Sequence, residues 1–254
     1  MAPIVRCVSA ARGGPVCWWC GRVADSREHK FKRRDLDLAI GKGSWHGRIA
    51  AHRRPGEEAF SYPNSSRSSS LKFRPVLCSN CNSERSQPID RAYDQFADYV
   101  RAYGQELYRT QCLDWGKVFD HDWELGRDNV TRYWVKHIAC RLAELGIPIE
   151  PAMVAFLDGA GPLTHVGLSL EIRESFAIAQ CDSLARGEPL HAMWIGDLLG
   201  WADRRTGQFE SAEGHWGLDA IFLVYRYSLD PTASTNFSEL VSQLPLVRAT
   251  AVES

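Results

Sequence analysis

Three features of the 254-residue sequence predict an α+β fold. Two Cys-x-x-Cys pairs indicate an N-terminal module held together by its cysteines. Two stretches in which apolar residues recur with helical spacing follow, and segments rich in β-branched and aromatic residues come after residue 150. We expect two domains, with the cysteine module over residues 1–110 and a small α+β domain over residues 111–254.

The cysteine pairs, Cys17–Cys20 and Cys78–Cys81, are the most specific local signal. A two-residue spacing lets both sulfurs of a pair face one ion from a tight turn, and four thiolates suit tetrahedral zinc. Disulfides are the alternative, but no secretory signal precedes the pairs, and paired thiols in cytosolic proteins are more often metal ligands. The remaining cysteines are expected to be buried small hydrophobic residues: Cys7, Cys112, Cys140 and Cys181.

The segment between the pairs begins with the dipeptide Glu28-His29 and continues into basic residues. Residues 35–54 are compatible with either a short helix or a strand. Residues 55–70 are rich in Ser, Pro and Gly and predict a loop. Residues 71–77 alternate apolar and basic side chains, which predicts a short strand interrupted at Pro75.

Two helices are predicted after the second cysteine pair. The first begins near Ser86 and Pro88, which are typical of helix starts, and its apolar residues recur every three or four positions. These face residues are Ile89, Tyr93, Phe96, Val100, Tyr103 and Leu107. The second helix is expected from about Asn129 to Leu145, with His137 on its face and Gly146 ending it.

The chain beyond residue 150 predicts a small sheet. Three segments, Leu163–Ile178, His191–Trp201 and Gly217–Tyr227, carry β-branched and aromatic residues separated by turn-like gaps. We expect them to form strands with the helix 129–145 packed on the sheet. The tail from Asp230 contains Ser, Thr and Pro and is expected to be loosely ordered.

Charge is distributed unevenly along the chain. Residues 1–85 carry 16 Lys or Arg against 7 Asp or Glu, whereas residues 86–254 carry 14 against 24. A basic excess beside a candidate metal site is the electrostatic footprint expected for polyphosphate binding. We expect nucleic-acid contacts from these basic residues: Lys30, Lys32, Arg33, Arg34, Lys72, Arg74 and Arg85. No run approaches about 20 apolar residues, so we expect no membrane span and a cytoplasmic location.

Taken together, the run CWWCG … SREHKFKRRDL … LKFRPVLCSNCNSERSQPIDRAYDQF resembles the HNH endonuclease family, the zinc-supported branch of the ββα-metal (His-Me finger) nucleases. The resemblance covers about residues 15–100. It implies a ββα-metal zinc-knuckle nuclease module, followed by a helical segment and the small α+β domain. In that module Cys17, Cys20, Cys78 and Cys81 would bind structural zinc.

The resemblance also implies a catalytic site. His29 would be the general base, Glu28 would bind a catalytic Mg²⁺ or Mn²⁺, and Asn82 would complete the metal site. Capping of a helix is an equally good interpretation of Asn82. A neutral imidazole can accept a proton from water near pH 7, since its ordinary pKa is about 6.5. A hard cation with few protein ligands keeps positions for phosphate and water. Asp25 is the nearest alternative to Glu28 as a metal ligand.

One position departs from the family pattern. The family has an Asn about five residues before the second cysteine pair, which braces the loop holding the base, and this chain has Phe73 there. Asn64 or a neighbouring serine could take its place. Trp18 and Trp19 could stack on bases, although packing around the first cysteine pair is at least as good an interpretation.

The expected function is therefore metal-dependent hydrolysis of phosphodiester bonds in DNA, with RNA left open as a substrate. Two alternatives remain. One is a nucleic-acid-binding zinc module that does not cleave. The other is an interaction adaptor that uses zinc as a staple, with the acidic C-terminal domain binding a protein partner or a second copy.

Overall fold

The computed structural model describes residues 15–45, 62–188, 190–231 and 243–249. The predicted α+β class is confirmed. The chain divides into two compact units, the first comprising Met1–Ser86 and His137–Ile149, the second Gln87–Lys136 and Glu150–Ser254. The boundary expected near residue 110 thus lies inside the second unit.

The first unit contains little regular structure within its described residues. Its elements are α1 (Arg33–Ala39), a 3-10 turn at Ser69–Leu71 and the end of α4 (Trp123–Glu144). Helix α1 settles the choice between helix and strand for the first part of the segment 35–54, while residues 46–61 lie outside the described residues. The loop expected at 55–70 falls partly on those residues, and its described part is irregular until Ser69.

The expected strand at 71–77 forms two isolated antiparallel bridges, Ser26↔Leu77 and His29↔Lys72. Pro75 has no backbone N–H, which limits a continuous ladder through this segment. Backbone bonds from Ser26 N to Leu77 O (2.9 Å) and from Lys30 N to Leu71 O (2.8 Å) hold the two segments side by side. The Glu28-His29 step therefore lies on a short two-stranded arrangement.

The second unit begins with α2 (Gln87–Thr110), and the helix predicted there is confirmed. Its predicted face is buried except for Tyr103, which is 49% exposed and has non-helical angles (φ −120°, ψ 19°) at a kink. Next come β1 (Cys112–Asp114), α3 (Trp115–Phe119), the start of α4, and α5 (Pro151–Leu157). Helix α4 begins six residues before the predicted Asn129, and Gly146 follows its end with φ +75°.

A six-stranded sheet follows, with strand order β3-β5-β6-β2-β8 and β4 paired to β5. The strands are β2 (Val166–Arg173), β3 (Met193–Ile195), β4 (Leu199–Ala202), β5 (Phe209–Leu218), β6 (Ile221–Ser228) and β8 (Val247–Ala249). Its pairings are antiparallel except β2 with β8. A separate two-stranded sheet joins β1 to β7 (Gln243–Pro245).

The three segments predicted as strands take different forms. Leu163–Ile178 contains β2 and then the start of α6 (Glu174–Ala185), so a single long strand there was wrong. His191–Trp201 divides into β3 and the first part of β4. Gly217–Tyr227 holds the end of β5 and most of β6, which form a hairpin with Asp219 in its turn at φ +53°.

The core of the second unit is aromatic. Tyr93 of α2 stacks on Tyr133 of α4 (centroids 4.0 Å apart) and meets the ring of Trp216 of β5 edge-on at 5.6 Å. Both helices thereby contribute side chains to the core that the sheet also lines. Among the described helices, none combines the length and apolar character that crossing a membrane requires.

Candidate metal centre and active site

The four paired cysteines converge at one point of the first unit. The sulfurs of Cys17, Cys20, Cys78 and Cys81 all lie within 4.8 Å of one another, and Cys20 Sγ is 3.5 Å from Cys78 Sγ. Tetrahedral zinc with bonds of about 2.3 Å places its sulfurs about 3.8 Å apart. All described cysteines are free thiols, so the cluster can hold a metal ion such as zinc.

Backbone hydrogen bonds shape both cysteine turns. In the first, Cys17 N donates to Arg22 O (2.7 Å) and Gly21 N donates to Cys17 O (2.8 Å). Gly21 has φ +76°, a conformation that glycine adopts without the strain a side chain would add. In the second, Cys81 N lies 3.5 Å from Cys78 Sγ, which directs an N–H dipole at the sulfur.

Asp25 supports the second cysteine turn. Its Oδ1 accepts hydrogen bonds from Ser79 N (2.7 Å) and Ser79 Oγ (3.0 Å). These bonds hold the pKa of Asp25 below its ordinary range. The acidic residue weighed as an alternative metal ligand to Glu28 therefore has one oxygen committed to tying the two cysteine turns together.

The thiols of the cluster differ in their proton affinities. Burial raises the pKa of Cys17 and of Cys81. Burial also acts on Cys20, but hydrogen bonds from the Arg22 backbone and from the other cysteines outweigh it and lower its pKa to about 6. A bound cation deprotonates its coordinating thiols, so buried thiols of raised pKa depend on the metal for their charge.

Arg85 belongs to the cysteine cluster. Its Nη1 lies 3.6 Å from Cys81 Sγ, and its guanidinium lies 4.7 Å from the centroid of the Trp19 ring. A cation here offsets the negative charge that four thiolates bring to a zinc ion. Trp19 is buried and stacks on Trp18, so Trp19 packs around the first cysteine pair.

The His29 side chain lies on the short two-stranded arrangement, opposite Lys72. The ring is half-buried, and Nε2 is covered yet has no hydrogen-bond partner among the residues described. Desolvation, followed by the positive charges of Lys72 and Arg33, lowers the pKa of His29 to about 4. The ring is therefore neutral at pH 7, as a proton acceptor must be.

Asn82, like His29, has a buried polar atom without a hydrogen-bond partner among the described residues. Its Nδ2 donates to Ser26 Oγ (2.9 Å), which holds the amide beside the segment that leads to His29. Its Oδ1 is buried and has no hydrogen-bond partner within the described part of the chain. A buried oxygen without a donor marks a place where an ion or water belongs.

Glu28, which precedes His29 in the chain, is buried at 9% exposure, and its backbone carbonyl accepts a bond from Phe73 N (2.9 Å). Among the described side chains, the four cysteines form the one group of three or more His, Cys, Asp or Glu whose ligand atoms converge. Glu28 is therefore not part of a converging group of that kind, and its link to Asn82 as a metal ligand stays a prediction of the motif.

Helix α4 reaches the His29 segment from far along the chain. His137 Nε2 lies 2.8 Å from Lys30 O, and the His137 ring meets Phe73 edge-on at 5.1 Å. Two turns further along, Glu144 Oε1 accepts from Arg74 N (2.9 Å) and its Oε2 is 3.9 Å from Lys30 Nζ. Positions seven apart share a helix face, so one face of α4 clamps both paired segments.

The basic residues expected to bind nucleic acid divide by exposure. Arg33, Arg34 and Arg74 are exposed, while Lys32, Lys72 and Arg85 are half-buried. Lys30 differs, since its side chain is 6% exposed, near Glu144 and over the Phe73 ring at 5.7 Å. A buried, paired ammonium cannot reach a phosphate, so we omit Lys30 from the proposed surface.

No protein-family model, curated protein or solved structure matches this chain. The motif resemblance therefore stands on its local residues, and the function drawn from it is a proposal. Sequence reasoning placed His137 on a helix face but gave neither it nor Glu144 a link to the His29 segment. No local signal could have supplied one, because the partners are separated by more than 100 residues.

Proposed function

We propose that the first unit is a zinc-supported nuclease module that hydrolyses phosphodiester bonds of DNA with the aid of a divalent metal ion. The observation that carries this proposal is the neutral, half-buried His29, whose Nε2 lacks a hydrogen-bond partner among the described residues. An imidazole that is neutral at pH 7 and has a ring nitrogen available to a ligand has the protonation state that a general base needs.

The chain order supports the same proposal. Two antiparallel segments of the first unit, 26–30 and 71–77, precede the second cysteine pair, and α2, the first helix of the second unit, follows that pair in the chain. That is the order of elements in a ββα-metal module, with the base on the first segment and the zinc ligands flanking both. In this interpretation zinc has a structural role, because four thiolates leave it no open position.

The metal site of the proposed reaction rests on two oxygen donors. The buried carboxylate of Glu28 and the unpartnered Oδ1 of Asn82 are the ligand types that Mg²⁺ and Mn²⁺ take. When bound, such an ion would neutralise charge on the phosphate oxygens. The Ser26 hydroxyl fixes the Asn82 amide with its oxygen left for the ion.

The remaining residues would bind and orient the strand. Arg33 and Lys72 lie close enough to His29 to depress its pKa, so their charges also act on a phosphate brought to that imidazole. His29 Nε2 would take the proton from the attacking water. Contacts through Arg and Lys to phosphate carry no base specificity and weaken as salt rises.

The test is nicking of supercoiled plasmid with Mg²⁺ or Mn²⁺. We expect His29→Ala to slow nicking by about 10²- to 10⁴-fold, the usual contribution of a general base, with DNA binding and zinc content unchanged. The matched control is His121→Ala, an 88% exposed histidine on the second unit. A His29→Ala protein that nicks at the wild-type rate, or a wild type inactive with both metals, would contradict the proposal.

Binding without cleavage is the second candidate function. Phe73 favours it, since it stands where the family carries a bracing Asn and is itself 1% exposed in the core. In that case the wild type and His29→Ala would bind DNA with the same salt-dependent affinity, and neither would nick plasmid at any metal concentration. The plasmid experiment therefore separates the two candidates directly.

A further inference from the structure

A cavity of about 760 Å³ opens in the first unit beside α1. Its walls come from α1 itself, from the turn after it (residues 42–44) and from the segment 64–67. A backbone bond from Trp45 N to Asn64 O (2.8 Å) ties the last two walls together. The cavity thus belongs to the same long excursion between the cysteine pairs that carries Glu28 and His29.

The lining of this cavity is cationic. Arg33, Lys42 and Arg67 carry positive charge, and Asp37 is the single acidic residue among the lining residues described, so the balance is +2. Asp37 is engaged, because its Oδ1 accepts from Ser66 Oγ (2.8 Å) and its Oδ2 lies 3.7 Å from Arg33 Nε. Lys42 and Arg67 form no ion pair with any described residue, and both are exposed.

The wall opposite α1 is a preformed turn. Ser68 Oγ accepts from Asn64 N (3.0 Å) and from Ser65 N (3.2 Å), and Ser65 Oγ accepts from Arg67 N (3.3 Å). These bonds set the backbone from which Arg67 projects before any ligand binds. Because this backbone is already fixed, only the side chain of Arg67 has to be ordered when it engages an anion.

We propose that this cavity binds a phosphate-bearing nucleotide unit through Arg33, Lys42 and Arg67. Guanidinium groups match phosphate in geometry and charge. The cavity is also lined by Ser44 and Asn64, whose hydroxyl and amide groups can hydrogen-bond a sugar or a base. A volume of about 760 Å³ exceeds the need of a phosphate alone and lies in the range for nucleotide-sized ligands.

This inference rests on the proposed function for its ligand class, since Arg33 both lines the cavity and acts electrostatically on His29. The phosphate could belong to a strand held for cleavage or to a free nucleotide. Both sources share one recognition chemistry, and the experiment below separates them.

Binding is measured by calorimetry with His29→Ala protein free of divalent ions, so that cleavage cannot consume the probe. The probes are a single-stranded deoxynucleotide tetramer with and without a 5′-phosphate, a deoxynucleoside 5′-monophosphate and the matching nucleoside. We expect Arg67→Ala and Lys42→Ala each to weaken phosphate-bearing probes about tenfold. For the tetramer, each should also reduce the salt slope by about 0.7. The control is Arg204→Ala, an exposed arginine of the second unit.

Tetramer binding without monophosphate binding assigns the cavity to a strand, and binding of both assigns it to a free nucleotide as well. Equal affinities and salt slopes for wild type, Arg67→Ala and Lys42→Ala would overturn the proposal. The binding assay needs no cleavage, so the two proposals can fail separately. If the wild type never nicks plasmid but Arg67→Ala still weakens probe binding, the nuclease function is wrong and the cavity assignment stands.

Discussion

The two units of this protein are stabilised in different ways. In the described residues every named strand belongs to the second unit, whose core is closed by rings such as Tyr93, Tyr133 and Trp216. The described part of the first unit relies on a cysteine cluster, isolated bridges and single side-chain bonds. The candidate catalytic residues therefore lie where regular structure is scarce, in the unit whose cysteine cluster can hold a metal ion.

The largest effect is expected from preventing metal binding, which should unfold the first unit and leave the second folded. Cys81→Ala should abolish zinc binding and unfold the first unit, because structural zinc contributes about 10 kcal/mol or more to folding in small zinc modules. Hydrogen exchange should become fast over 15–45 and 62–86, while β2, β5 and β6 stay protected. Cys181→Ser, a change on α6, is the control and should keep its zinc. Full zinc content in Cys81→Ala would refute the site.

The next largest effect is expected from a substitution in the aromatic core of the second unit. Trp216 is 3% exposed, and Trp216→Ala should lower the free energy of unfolding by about 3–5 kcal/mol through cavity formation. Zinc content should stay at the wild-type value. Trp201→Ala on β4, 46% exposed, should change stability by less than about 0.5 kcal/mol. Loss of zinc in Trp216→Ala would show that the two modes of stabilisation are not separate.

A smaller effect is expected from the α4 clamp. His137→Ala removes the donor to Lys30 O and the contact with Phe73, which should cost about 1–3 kcal/mol. Amide exchange at Lys30 and Phe73 should accelerate, because their bonds hold the clamped segments together. His121→Ala should leave both rates unchanged. Unchanged exchange in His137→Ala would mean that α4 does not support the His29 segment.

The last effect is a pH dependence of stability that arises from His29. His29 has an ordinary pKa of 6.5 and a folded pKa of about 4, so the unfolded chain binds more protons between these values. Its contribution is complete above pH 6.5 and is lost as pH falls through about 4. As pH falls across this window, the wild type should therefore lose free energy of unfolding relative to His29→Gln, as followed by denaturation curves at each pH. Parallel curves would show that His29 titrates normally in the folded chain.

The spacing of residues along the sequence predicted three features of the fold: the cysteine cluster, helix α2 and the end of α4. The cysteine cluster follows from two short repeats, and α2 follows from apolar residues at every third or fourth position. The end of α4 follows from Gly146, whose positive φ suits a helix stop. Strand limits were less predictable, because Arg173 and Glu174 mark a change from β2 to α6 that no turn residue announces.

Contacts between distant residues could not be predicted in this way. In the sequence, Lys30 belongs to a run of basic residues that is expected to be exposed. In the structure its side chain is buried near the carboxylate of Glu144. His137 reads as a helix-face residue, and only the fold brings it to Lys30 O. Asn82 and Glu28 were predicted from the motif alone, and the unpartnered oxygen of Asn82 is the independent observation that the structure adds.

The return of residues 137–149 to the first unit has a consequence for how the protein is made. Domains generally fold as units while the ribosome is still adding residues. Here both cysteine pairs emerge long before His137 and Glu144, so the nascent module can bind zinc but cannot yet be clamped. A fragment ending near residue 110 would lack His137 and Glu144, so its paired segments would never be clamped by α4. Expression of the isolated module should therefore retain the chain through Ile149.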